Sequence, residues 1–146
     1  MNEQTTPAQP VSLSTLLTPS KTVSVDYPEF EGFIVELTYL AREELLKLRN
    51  RTLKQKFNKK TRAFEETMDD DLFLTEYVKA VIKGWKGLKY EYVSQLLLIN
   101  TDEVDDMEDT LDFNEENAQI LMKNSSDFDT WVTETVGDLE NFTKTK

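Results

Sequence analysis

The clearest pattern of apolar and polar positions runs from Asp71 to Leu88. Phe73, Tyr77, Val81 and Trp85 recur at steps of four, and Leu74, Val78 and Ile82 fill the neighbouring row, which predicts one amphipathic helix. Asp69, Asp70 and Asp71 suit its exposed N-terminal N–H groups, and Gly84 and Gly87 read as its C-terminal stop. Two stretches alternate at period two, Thr22 to Tyr27 and Phe33 to Thr38, and the loop between them holds Pro28 and Gly32. They predict a β-hairpin, which needs helices or another subunit to lie against. A basic helix is expected from Arg42 to about Phe57, with Leu45, Leu46, Leu48, Leu53 and Phe57 on its apolar side. Arg62 to Asp70 then reads as a charged join.

Beyond the central helix, Leu88 to Ile99 suits either a helix or a loop and strand, with a short helix over about Tyr90–Leu98 preferred. The acidic run Thr101–Thr110 reads as a linker. Two helices follow, one after a cap at Asn114 and one after Ser126, the latter carrying Phe128, Trp131, Val132, Val136, Leu139 and Phe142 on one face. The predicted fold class is therefore mainly α: a small helical domain with an N-terminal β-hairpin. Four parts are expected. Residues 1–21 form a flexible arm with Leu13, Leu16 and Leu17 as an anchor, and residues 22–100 form the hairpin and helical core. Residues 101–112 form the acidic linker, and residues 113–143 a C-terminal helical pair packed on the core.

Charge sharpens this picture. The chain of 146 residues has a net charge of −11, and it is unevenly spread. Residues 42–62 hold nine Lys or Arg against two Glu, whereas residues 101–142 hold fourteen acidic residues against Lys123 alone. The acidic end would repel phosphates, so nucleic acid is not expected as the partner. The basic segment reads first as a solvated face, and second as a docking surface for an acidic partner or the chain's own acidic end. The first residues lack the basic and apolar regions of a secretory signal, and no apolar run approaches the length of a membrane span.

Candidate chemistry narrows to binding. With no Cys and no His, thiol nucleophiles, disulfides, histidine bases and nearly all zinc sites fall away. The acidic run lacks the calcium-loop pattern, since Val104 occupies a coordinating position and no glycine turns the chain. Ser125 and Ser126 have no base beside them. No catalytic residue, cofactor or metal is expected. The residues singled out as core or partner-binding are Phe73, Tyr77, Val81, Trp85, Leu88, Phe128, Trp131, Val132 and Leu139.

The order of segments carries a resemblance. Gly32-Phe33-Ile34-Val35-Glu36-Leu37 runs into Tyr39-Leu40-Ala41-Arg42-Glu43-Glu44-Leu45, and Trp85-Lys86-Gly87-Leu88 follows an apolar helix. Phe113-Asn114-Glu115-Glu116-Asn117-Ala118 and Leu121 to Val132 complete the succession. Over about residues 22–143 it resembles the small tail assembly chaperones of long-tailed bacteriophages and prophages. The resemblance implies a mostly helical, non-enzymatic protein that binds the tape measure protein and keeps it soluble while the tail tube assembles. It also implies possible self-association, action in the cytoplasm of the bacterial host and absence from the mature virion. Trp85, Gly87 and Leu88 would match the family's most recognisable element, and Asn117, Ala118, Phe128 and Trp131 its C-terminal one. One departure is Ala41, where Ser would form a capping box with Glu44, so the first helix is expected to start at Thr38 or to be looser there. The competing readings are a structural virion protein, such as a tail-completion or connector subunit, and an acidic mimic of nucleic acid.

Overall fold

The structure is a computed structural model, and it describes residues 10–143. In chain order the elements are α1 (Leu13–Leu16), β1 (Ser20–Asp26), β2 (Ile34–Leu40), α2 (Arg42–Arg51), β3 (Leu53–Asn58) and β4 (Ala63–Met68). Then come α3 (Asp70–Val81), β5 (Ile82–Lys86), α4 (Tyr90–Leu96), a 3-10 turn at Thr101–Glu103, α5 (Glu115–Asn124), α6 (Ser126–Gly137) and α7 (Glu140–Thr143). Of the expected N-terminal arm, residues 1–9 lie outside the described residues. The leucine cluster forms α1, capped by Ser12, and its side chains are exposed.

The fold class differs from the one expected. Helices predominate, but two sheets are interspersed across residues 20–86, in place of a single N-terminal hairpin. One sheet is antiparallel with order β1-β2-β5, and the other is the β3-β4 hairpin. Two predicted helices are therefore shorter than their apolar patterns. The basic helix stops at Thr52, whose Oγ1 donates to Arg49 O at 2.8 Å. The next residues alternate around Leu53, Gln55 and Phe57, and pair with the segment read as a charged join. Because β-branched and aromatic residues suit a pleated strand, a short stretch that matches a helical row also matches a strand.

The central helix likewise ends at Val81, and Ile82–Lys86 becomes the strand that completes the sheet on β2. Val35 faces Trp85, and the register slips between Glu36 and Leu37, where Lys83 is the extra residue. Gly84 is thus a strand residue and not a helix stop. Its lack of a side chain leaves room for the Glu36 carboxylate, since a Cβ there would sit 2.7 Å from Glu36 Oε1. Gly87 has a positive φ of 76° and passes directly over the Gly32 carbonyl, which any side chain at 87 would overlap.

The core lies between the three-stranded sheet and helices α3, α5 and α6. Phe33, just ahead of β2, and Val35 and Leu37 within it meet Val78 and Val81 of α3, Leu121 of α5, and Phe128 and Val132 of α6. An aromatic cluster fills one end: Tyr27 packs against Phe30, Phe33, Phe128 and Trp131 with ring centroids 4.8–6.1 Å apart. Caps fix the C-terminal helices. Asn114 Oδ1 accepts from Asn117 N at 2.7 Å, and Ser125, not Ser126, caps α6 by accepting from Phe128 N. At Gly137 the last helix breaks, and α7 turns Phe142 inward against Tyr39, while Asn141 Nδ2 donates to Thr135 O at 3.0 Å.

The acidic stretch after α4 is tied to the start of that helix. Tyr90 N donates to Asp109 O and Glu91 N to Met107 O, each at 2.9 Å, and Lys89 pairs with Glu108 at 2.8 Å. At the start of α2, Ala41 occupies the cap position with no side-chain bond, and the helix begins at Arg42 and not at Thr38.

Candidate protein-docking groove

Where the first turns of α2 and α3 approach α6, their apolar faces do not close on each other. Leu45 from α2, Phe73, Leu74 and Tyr77 from α3, and Val136 from α6 surround an open groove, with Tyr39 and Leu40 at the end of β2 as its floor. The groove has a volume of about 640 Å3. Its charged residues are Asp70, Asp129 and Arg42. Phe73 and Tyr77 stack along α3 with centroids 5.7 Å apart. Burial pushes the Tyr77 phenol above its ordinary pKa; a hydrogen bond with Thr133 acts in the opposite sense, and the Asp129 carboxylate adds to the rise. Tyr77 therefore stays neutral and half-buried, and presents an apolar ring to the groove.

The residues singled out from sequence separate into three groups. Val81, Leu88, Phe128 and Val132 are fully buried and hold the core together. Trp85 is buried too, with its Nε1 donating to Leu111 O at 2.9 Å and its ring edge-on to Phe113. Trp131 is half-buried in the aromatic cluster, and Leu139 is exposed. Only Phe73 and Tyr77 line the groove. The other lining residues come from three separate stretches. Leu45 and Val136 showed themselves only as members of helical faces, and Tyr39 and Leu40 lay beyond the predicted strand Phe33 to Thr38, which the structure extends to Leu40.

A second surface feature is the β3-β4 hairpin, whose side chains are mostly exposed on both strands. Phe57 and Phe64 face each other across it with centroids 5.4 Å apart, 49% and 69% exposed. Asn58 shapes the tip: its Oδ1 accepts from Lys60 N at 2.9 Å and Thr61 N at 3.4 Å, while its backbone carbonyl accepts from Arg62 N at 2.7 Å. Arg62 adopts a positive φ of 54° to close the turn. At the base, Asp69 N donates to Thr52 O at 2.9 Å.

Among the described residues, no group of three or more acidic side chains is placed to hold a metal ion, and no helix is long and apolar enough to cross a membrane. The chemistry available is that of surfaces: an apolar groove with a mixed-charge rim and a basic, aromatic hairpin.

Comparison with protein families places the chain among proteins of phages and prophages. The family model that matches, described as YdaY prophage protein, spans residues 38–146, more than half of the chain, and the chain belongs to this family. The matched span takes in all of α2–α7, β3, β4 and β5, together with the end of β2. No curated protein and no solved structure matches the chain.

Proposed function

We propose that this prophage protein is a tail assembly chaperone, which binds the tape measure protein and keeps it soluble during tail tube assembly in the host cytoplasm. The observation that carries the reading is the open groove between α2, α3 and α6. An amphipathic helix docks by laying apolar anchors at i, i+3, i+4 and i+7 into such a groove. A volume of about 640 Å3 takes the anchoring side chains of a short helical segment. A tape measure protein is a long helical polypeptide that offers such segments repeatedly. The surrounding net charge of −11 keeps a loaded complex dispersed. The task on this reading is capture and release, with no covalent step.

The test is co-expression with the tape measure protein of the same prophage. The soluble yield of the tape measure should rise, the two should co-purify, and Phe73→Ser should abolish both effects while the chaperone itself stays folded. No gain in solubility and no complex would overturn the proposal. Stoichiometric presence of the protein in purified particles would instead favour a virion component.

A further inference from the structure

The hairpin and the groove are unsatisfied surfaces of complementary character. A lone two-stranded hairpin is at best marginally stable in water and gains most from a surface to lie on. This one shows its aromatic pair to solvent: Phe57 and Phe64 are its most exposed large hydrophobic side chains, and aromatic residues of this kind act as interface anchors. It is also the basic part of an acidic protein. Residues 53–68 hold five Lys or Arg against two Glu, in a chain whose total is −11. The groove is lined by aliphatic and aromatic side chains, and carries Asp70 and Asp129 against Arg42 alone. No hairpin residue lines the groove of its own chain.

We infer that the β3-β4 hairpin of one copy seats Phe57 and Phe64 in the groove of a second copy. Charge selects this pairing over the alternative of hairpin against hairpin, which would bring Lys54, Lys56, Lys59, Lys60 and Arg62 of two copies together. In the hairpin-to-groove arrangement the same cations approach Asp70 and Asp129, which outnumber Arg42 on the rim. Because hairpin and groove belong to one chain, each copy both gives and receives. Two copies that exchange hairpins close a two-fold dimer with two equivalent contacts. The groove is thereby covered when no client is present. The inference does not rest on the tape-measure reading, because it names the occupant of the groove in the isolated protein.

Light scattering and sedimentation of the full chain over a range of concentrations test it. The wild type should assemble beyond a monomer. Phe57→Ser with Phe64→Ser should raise the dissociation midpoint by roughly tenfold or more. Leu45→Arg alters the groove, leaves the hairpin intact and sets a cation against the basic hairpin, and it should weaken assembly to a similar degree. Because the chain has no cysteine, single-cysteine variants report the contact directly. Phe64→Cys mixed with Leu45→Cys should give a mixed disulfide under oxidation. A monomeric wild type, assembly indifferent to both the hairpin and the groove variants, or absence of the mixed disulfide would each overturn the inference. If the hairpin variant stays as associated as wild type but loses the tape measure, the hairpin serves the client and the inference also fails.

Discussion

Replacing Gly87 by Ala tests how tightly the sheet end is built. Two costs apply at this position. With φ at 76°, an alanine pays about 1–2 kcal/mol to occupy the left-handed region. Its Cβ would also overlap the Gly32 carbonyl oxygen and lie 2.8 Å from the carbonyl carbon, so the backbone itself must move. Forcing extra volume into a packed site costs about 1–3 kcal/mol. Together these predict a loss of roughly 2–5 kcal/mol, or roughly 4–20 °C in Tm for a domain of this size. Gly84→Ala and Gly137→Ala serve as internal controls. At Gly84 the added methyl meets only the end of the Glu36 side chain, which can swing aside, so Gly84→Ala should stay within about 1 kcal/mol of wild type. At Gly137 nothing lies within 4 Å and φ is not positive, so Gly137→Ala should stabilise by about 0.4–1 kcal/mol. Urea unfolding followed by circular dichroism ranks the three. A Gly87→Ala protein as stable as Gly137→Ala would refute the reasoning, because neither cost could then be real.

Two further predictions concern a cap and a pair of phenols. Ser125→Ala should lose about 1 kcal/mol, because the buried Ser125 hydroxyl accepts from Phe128 N, whereas Ser126→Ala should be nearly neutral; thermal melts of both decide which serine caps α6. Tyr27 and Tyr77 both have pKa values raised above the ordinary 10.0, chiefly by burial. The unfolded chain then releases these protons first, so stability should hold below about pH 10 and fall as pH rises through the folded values. Tyr27→Phe with Tyr77→Phe should flatten that fall in urea titrations at high pH, and an unchanged pH profile would contradict the assignment.

What could be read from the residues alone was the set of apolar faces more than their backbone geometry. The α5 and α6 stripes and the Asn114 cap were legible because capping residues and steps of three and four point to one conformation. The strands β3 and β5 were not. Phe57 and Trp85 each completed a helical row, and nothing local distinguishes the end of such a row from the start of a strand. The pairing partner decided it, and for β5 that partner is β2, which lies more than forty residues earlier. The groove was half legible: Phe73 and Tyr77 stood out on the best-patterned helix. Leu45, Leu40 and Val136 converge on them only once α2, β2 and α6 are packed. Trp85 and Leu88, conspicuous in sequence, turn out to hold the sheet end to Leu111 and the core.

The hydrogen bond from Asp69 to Thr52 closes the hairpin at its base, so the chain leaves the body and re-enters it at nearly one point. For the remainder of the molecule, the residues between behave as a detour whose length is of little consequence, because loop-closure entropy grows only slowly with length. The hairpin is thus free to lengthen, shorten or change its side chains without disturbing the sheet or the helices.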